Sequence, residues 1–180
     1  MLHPAIEGLQ QSLVSLATRN RLSLLLVPSH QSHITLRFLG ELDSVHIPKL
    51  KIAIEKTAQA HVPFSITLNW VAYFQGRGSP VVLKPLINEG LERLKTLTQT
   101  LEEKLEEQKF SNEKRSYIPH LTLGRIKKGK PSSSFVEGLS HLVDKPLEVS
   151  VDSINLIHSI LGPTRPVYTS IAITSLRAAS

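Results

Sequence analysis

Phe64-Ser-Ile-Thr-Leu-Asn-Trp-Val-Ala72, followed by Gly76-Arg-Gly-Ser-Pro80 and Val81-Val-Leu-Lys84, is the stretch that decides the fold class. Phe64, Ile66, Leu68, Trp70 and Ala72 fall on every second residue, the period of a strand with one face on a core and the other toward water. The Gly- and Pro-rich turn then returns the chain into a second apolar run, so the two runs are expected to pair as an antiparallel hairpin. A parallel, doubly wound sheet would need a helical crossover at that point.

Helices are expected on both sides of the hairpin. Upstream, Asp43 or Ser44 can cap a helix that has Pro48 in its first turn and Ile47, Leu50, Ile54 and Ala58 along one face. Downstream, Asn88 can cap a long helix with Leu91, Leu94, Leu97, Leu101 and Leu105 inside and a solvated Glu and Lys surface outside. The chain opens with a third amphipathic helix, carried by Ile6, Leu9, Leu13 and Leu16 and ending near Arg19-Asn20. Leu22 to Val27 reads as a buried strand, Pro28 to Ser32 as a loop, and His33 to Leu39 as a strand closed by Gly40. Tyr117 to Ile126, Leu147 to Val151 with Ile154 and Leu156, and Val167 to Leu176 read as further strands, the last entered through a turn at Gly162-Pro-Thr-Arg-Pro166. Lys127, Lys128, Lys130, Pro131 and Ser132 to Ser134 read as a mobile basic loop. Three helices and about seven strands, mostly joined as hairpins, make the fold α+β.

A chain of 180 residues with 41% apolar content suffices for a single domain spanning residues 1–180 with a core of its own. The absence of Cys excludes disulfides, thiolate zinc sites and thiol nucleophiles. Pro4 and Glu7 interrupt the start where a signal peptide would need a basic, then apolar run, and no apolar stretch reaches membrane-spanning length, so a soluble, cytoplasmic protein is expected. A net charge of +6 and a pI near 9.7 favour a polyanionic partner such as nucleic acid.

The chemistry is carried by a repeated pattern, His33-Ile-Thr-Leu36 and His120-Leu-Thr-Leu123. With 8 His and 11 Thr in the chain, His-x-Thr alone is expected about half a time by chance, and the added Leu lowers that below about a tenth. Residues i and i+2 of a strand project from one face, so each His is expected beside its Thr. If the two strands lie side by side or face each other, two imidazoles and two hydroxyls converge on one volume. The motifs are expected one on each half of the domain, meeting across a cleft. Two imidazoles without an adjacent carboxylate make a poor metal site. They suit in-line attack at phosphorus, one taking a proton from water while the other gives one to the leaving oxygen. The Thr hydroxyls can donate to the non-bridging phosphate oxygens. The competing assignment is a core His bonded by its neighbouring Thr. His3, His30, His46, His61, His141 and His158 lack the pattern and are assigned to surface or structure.

At His33-Ile-Thr-Leu-Arg-Phe-Leu-Gly-Glu41 and Pro119-His-Leu-Thr-Leu-Gly-Arg125 the sequence resembles the two-histidine phosphoesterases, and among them the LigT-like RNA 2′,3′-cyclic phosphodiesterases, historically called 2′-5′ RNA ligases. Similarity extends to Ser79-Pro-Val-Val-Leu83 and to Ser159 through Tyr168. The resemblance implies a bilobal, pseudo-twofold arrangement of antiparallel sheets with flanking helices and a central active cleft. It also implies no metal or other cofactor, and hydrolysis of RNA or nucleotide 2′,3′-cyclic phosphate ends to 2′-phosphomonoesters by a monomer. His33, Thr35, His120 and Thr122 would be catalytic, and Phe38 and Arg125 would grip the nucleotide. Because i+5 lies on the opposite face of a regular strand, Arg125 needs a bulge, which Gly124 can supply. Phe38 equally fits a core position.

Relatives of this kind usually begin with a core strand before the first helix, and this sequence starts just past that point. Either translation begins upstream, or this is a shortened member, in which a neighbouring sheet edge would lack its partner and the fold would be weakened. Val81 and Lys84 stand where Arg and Trp are common. Two alternatives keep the cleft: another phosphodiester substrate, such as a 2′-5′ linked oligonucleotide, or an inactive domain that binds RNA or nucleotides.

Overall fold

The computed structural model describes residues 2–74, 80–85, 89–113, 116–162 and 166–178. Its elements run α1 (Leu2–Arg19), β1 (Ser23–Leu26), α2 (Ile47–Ala60), β2 (Phe64–Tyr73), β3 (Pro80–Pro85), α3 (Glu89–Glu107), β4 (Leu121–Lys128), α4 (Ser133–Ser140), β5 (Leu147–Val151), β6 (Ser153–Leu161) and β7 (Pro166–Ser175). Five strands form one sheet in the order β1-β4-β3-β2-β5, and β6 pairs with β7 in a second. The pairs β1–β4, β2–β3, β3–β4 and β6–β7 are antiparallel, so the α+β expectation holds. The expected turns at Gly76–Pro80 and Gly162–Pro166 and the Asn88 cap fall largely or wholly outside the described residues.

The chain divides into two compact units, Met1–Thr35 with Ile66–Leu91 and Ile118–Val149, and Leu36–Ser65 with Glu92–Tyr117 and Ser150–Ser180. In the first, the expected face of α1 is buried through Ile6, Leu9, Leu13 and Leu16. Gln10 lies on that same face and is also buried. Its amide donates to the carbonyls of Val27 (2.6 Å) and Leu123 (2.9 Å), so it ties α1 to the backbone of β4. The segment read as a mobile basic loop is instead the end of β4 followed by α4. Ser132 caps α4 by accepting from the Phe135 amide at 3.2 Å, and Phe135 and Leu139, one turn apart, are fully buried. Burying a side chain of that size contributes about 1.5–3 kcal/mol, more than the polar flanks oppose. Gly138 allows close approach, since a Cβ there would lie 2.6 Å from a Leu16 methyl.

In the second unit α2 buries Leu50, Ala53, Ile54 and Ala58, and Ile154 and Leu156 of β6 are buried. Asp43 is the cap: its carboxylate accepts from the Val45 amide at 3.0 Å and starts a short 3-10 turn, Ser44–His46, that runs into α2. Leu94, Leu97, Leu101 and Leu105 form the inner face of α3, as the spacing predicts. Arg37 donates to the Ser111 carbonyl at 2.6 Å and faces Glu102 and Glu113 at 3.4 and 3.7 Å, which pins the start of this unit to α3 and the segment after it.

Three departures from the predicted strands concern pairing and register. In β2 the alternation holds at Phe64, Ile66 and Leu68, but a register shift between Leu68 and Trp70 turns Trp70 outward (59% exposed) and buries Val71 (1%). A bulge inserts one residue and thereby exchanges the two faces. Leu22 to Val27 is not a fully buried strand: β1 is the outer strand of its sheet and its residues are half-exposed or exposed. The strand expected over His33 to Leu39 reduces to one bridge, Ile34 to Leu121.

In β4 the shift is the expected one. Val81 faces Gly124 but Val82 faces Thr122, so β4 holds an extra residue there. Leu121, Leu123, Gly124 and Ile126 are buried while Thr122 and Arg125 are not, which returns Arg125 to the side of the strand that carries Thr122. A Cβ at Gly124 would lie 2.9 Å from the Leu25 carbonyl oxygen, and backbone cannot yield as a side chain can. Gly124→Ala should therefore lower stability by about 1–3 kcal/mol, read as a shift of the urea midpoint at unchanged slope.

His61 ends α2 with its ring nitrogen 3.0 Å from the Thr100 hydroxyl. Burial, and then the Arg93 charge, hold its pKa below the ordinary 6.5. The unfolded chain then binds the proton more readily, so this residue's share of stability is present above about pH 6.5 and lost as pH falls through the lowered folded-state value. Thermal unfolding at about pH 7.5 and 5.5 should show a smaller drop in Tm for His61→Gln than for the wild type.

Candidate active site

The site begins on α1. Glu7 accepts from the Ser29 hydroxyl at 2.6 Å, and the Ser29 carbonyl lies 3.0 Å from Nδ1 of His3, so the 3-10 turn Ser29–Gln31 is held against the helix. The Gln31 carbonyl in turn lies 2.8 Å from Nδ1 of His33. A carbonyl oxygen can only accept, so the hydrogen sits on Nδ1 and Nε2 is the nitrogen that carries the lone pair in the neutral ring.

The second histidine repeats the arrangement. Nδ1 of His120 lies 2.7 Å from the carbonyl of Ile118, again two residues back, and Pro119 between them is buried. Phe74, at the end of β2, meets the His120 ring edge-on with centroids 5.2 Å apart and planes at 86°. This contact was not legible in the sequence, where Tyr73-Phe74 reads as the tail of a strand. Gln10 was also missed, although a lone amide within an apolar helical stripe marks a buried polar contact.

The two motifs meet through backbone pairing. Val27 donates to the Leu123 carbonyl at 3.0 Å, and Ile34 then bridges Leu121 in the antiparallel sense. Leu26 faces Gly124 and Ile34 faces Leu121, so 34 − 26 = 8 residues match 124 − 121 = 3 of β4, and five are taken up by the excursion through the 3-10 turn. The register carried one residue either way sets His33 across from Thr122 and Thr35 across from His120. Opposed Cβ atoms in such a pair stand about 4.5–5.5 Å apart, and the diagonal, here His33 to His120, spans about 7–8 Å. Ile34 and Leu121 point the other way, and Leu121 is buried. His33, Thr35, His120 and Thr122 are each half-buried, and so are open to a ligand.

All four residues belong to the first unit. The segment carrying His33 joins the β1 side of β4, beside the strand that His120 leads into. The competing assignment of a core His bonded by its Thr also fails for His120, whose Nδ1 is committed to backbone and whose ring is not buried. Arg125 is exposed on β4. Phe38 belongs to the second unit and is 75% exposed, so it is not a core aromatic. Of the other histidines, His3 and His61 are structural through Ser29 and Thr100, and His46 meets Phe110 edge-on. Among the described residues no three His, Asp or Glu side chains cluster as metal ligands, and no helix is long and apolar enough to cross a membrane.

Comparison with known proteins shows the family and the fold. The RNA 2′,3′-cyclic phosphodiesterase of Thermotoga maritima is 32% identical over 143 residues, covering 79% of this chain and 74% of that one. The protein of the same name from Thermus thermophilus is 34% identical over 155 residues, covering 84% and 75%. Among solved structures, the Thermus thermophilus protein TT0787 superposes with a TM-score of 0.72 at 29% identity, over 97% of this chain and 94% of that one. Escherichia coli LigT complexed with 3′-AMP shares the fold, with a TM-score of 0.65 at 19% identity over 93% and 91%. A family model described as the 2′-5′ RNA ligase superfamily matches residues 3–162, and the chain belongs to that superfamily.

Proposed function

We propose that this protein hydrolyses the 2′,3′-cyclic phosphate at an RNA or nucleotide end to a 2′-phosphomonoester, by metal-independent catalysis with His33 and His120. The observation that carries the reading is the Ile34–Leu121 bridge, which sets two His-x-Thr pairs in register with both imidazoles anchored through Nδ1. Relatives at 27–39% identity that bear the name RNA 2′,3′-cyclic phosphodiesterase support the choice of substrate.

In the proposed step water attacks phosphorus in line with the P–O3′ bond. A new P–O bond forms as P–O3′ breaks. His120 takes the proton of the attacking water on Nε2, and protonated His33 delivers one from Nε2 to O3′. The ring charges are then exchanged, and solvent returns them to the starting state before the next turnover. Thr35 and Thr122 donate to the two non-bridging oxygens, whose charge grows in the transition state. Arg125 offers charge and a planar face to the nucleotide, and Phe74 holds the plane of the His120 ring.

Incubation of the protein with a 2′,3′-cyclic nucleotide in the presence of a chelator should yield the 2′-monophosphate. His33→Ala and His120→Ala should each lower kcat by about 10²–10⁴-fold, whereas Thr35→Val and Thr122→Val should cost about 10²–10³-fold. Tight nucleotide binding without turnover would instead identify a binding domain, and turnover restricted to 2′-5′ linked oligonucleotides a different diesterase. Because one imidazole must be charged and the other neutral, kcat/KM should rise and then fall across about pH 5 to 9, and a monotonic profile would sink the paired assignment.

A further inference from the structure

Beyond Arg125, which the proposed function already sets against the nucleotide, the end of β4 remote from His120 carries further cations that the proposed chemistry does not use. Arg125, Lys127 and Lys128 are exposed on the strand while Ile126 is buried, and the register shift opposite Ser23 and Leu24 falls at Lys127, which leaves the two adjacent lysines both exposed. Lys130 follows Gly129, and Arg21 lies in the turn before β1 with a positive φ of 57°.

These groups are held rather than dangling. Lys128 pairs with Ser23. Gly129 adopts φ +93°, and a Cβ there would lie 2.6 Å from a Leu22 methyl and 3.0 Å from the Arg21 carbonyl, so the turn Lys128–Lys130 is folded against Arg21-Leu22. Beyond it, the Ser132 and Ser134 hydroxyls donate to the Asn20 amide oxygen at 2.7 and 2.9 Å. Among the described residues, ion pairs engage Arg37, Lys56, Lys95 and Lys104, and none engages Arg21, Arg125, Lys127, Lys128 or Lys130. Fixing like charges side by side without carboxylates works against folding, and an anionic ligand offsets that repulsion.

We infer that Arg125, Lys127, Lys128, Lys130 and Arg21 form a phosphate track that leads away from His120 and Thr122 along β4 and takes the single-stranded body of an RNA whose terminal cyclic phosphate occupies the two-histidine site. The inference rests on the proposed function and sharpens it: a polynucleotide end is bound in preference to a free nucleotide, which the two-histidine site alone still turns over. An extended strand offers one phosphate per nucleotide in a row, which a line of cations at strand spacing matches, whereas a mononucleotide reaches no farther than Arg125.

The test is a length ladder. Oligoribonucleotides of one to eight nucleotides ending in a 2′,3′-cyclic phosphate are titrated by fluorescence anisotropy against His120→Ala protein, with and without the triple substitution Lys127→Gln, Lys128→Gln, Lys130→Gln. Affinity should climb with length in the first protein and level off after one or two nucleotides in the second, with a loss of about tenfold or more for the longest RNA. The slope of log Kd against log salt should fall by about 0.7 for each phosphate contact removed. Equal affinity for all lengths, or an equal loss at every length, would overturn the track, as would a stronger preference for anionic vesicles than for RNA. Turnover of the cyclic mononucleotide by the triple variant with His120 restored should stay within about twofold of wild type. Absence of that turnover in the wild type refutes the proposed chemistry alone, because the ladder reads binding without it.

Discussion

The antiparallel bridge between Ile34 and Leu121 is the constraint on which the rest depends. An antiparallel pair has a local twofold axis through the bridge, so two tripeptides with the same outer residues, centred on it, present the same side chains to one patch from opposite directions. Each histidine thereby gains the other motif's threonine as its cross-strand neighbour. Few arrangements bring two acid/base groups and two hydroxyl donors so close with so little chain. The bridge is itself supported from behind: Gln10 donates to Val27 and Leu123, and Glu7 and His3 secure Ser29, so α1 fixes both arms at the residues just outside the motifs. Loss of the Gln10 amide would leave the half-buried Val27 carbonyl without this donor, at a cost of about 0.5–1.5 kcal/mol.

Register shifts do the rest of the aiming. One in β2 turns Trp70 out and Val71 in, and one in β4 at Gly124 brings Arg125 to the side of Thr122. A third, at the far end of β4 opposite Ser23 and Leu24, accommodates Lys127. An added residue in a strand costs one ladder position but exchanges the faces of everything beyond it, so a short strand can serve a core on one side and a polar surface on the other over its whole length. Gly124 permits this because the Leu25 carbonyl occupies the space a side chain would need.

Much of this was legible in the sequence. The apolar stripes of α1, α2 and α3 were read with the right residues, because burial on a helix follows a period that few competing forces disturb. The four residues of the motifs, and the need for a bulge before Arg125, were also legible, since they follow from strand alternation and from the chemistry of the side chains. Less visible was α4, whose three serines and neighbouring lysines suggest a loop. Its evidence was the Phe135 and Leu139 pair one turn apart, and only the hydrophobic surface supplied by Leu16 of α1 makes that pair decisive. The strand read over His33 to Leu39 has the right composition but lacks a partner beyond Ile34, and composition cannot supply one.

The sequence by itself determined where α1, α2 and α3 lie, that the hairpin strands pair antiparallel, and that one His-x-Thr pattern recurs in two strand-like segments. Those are properties of residue type and of periods that span a few neighbours. Only the tertiary structure decided that both motifs flank one bridge in one unit, that Trp70 faces outward, and that Phe74 meets the His120 ring. Each of these depends on pairing between segments far apart in the chain, or on a slip of one residue, and a slip of one residue leaves the local pattern almost unchanged while it reverses the direction of every side chain after it.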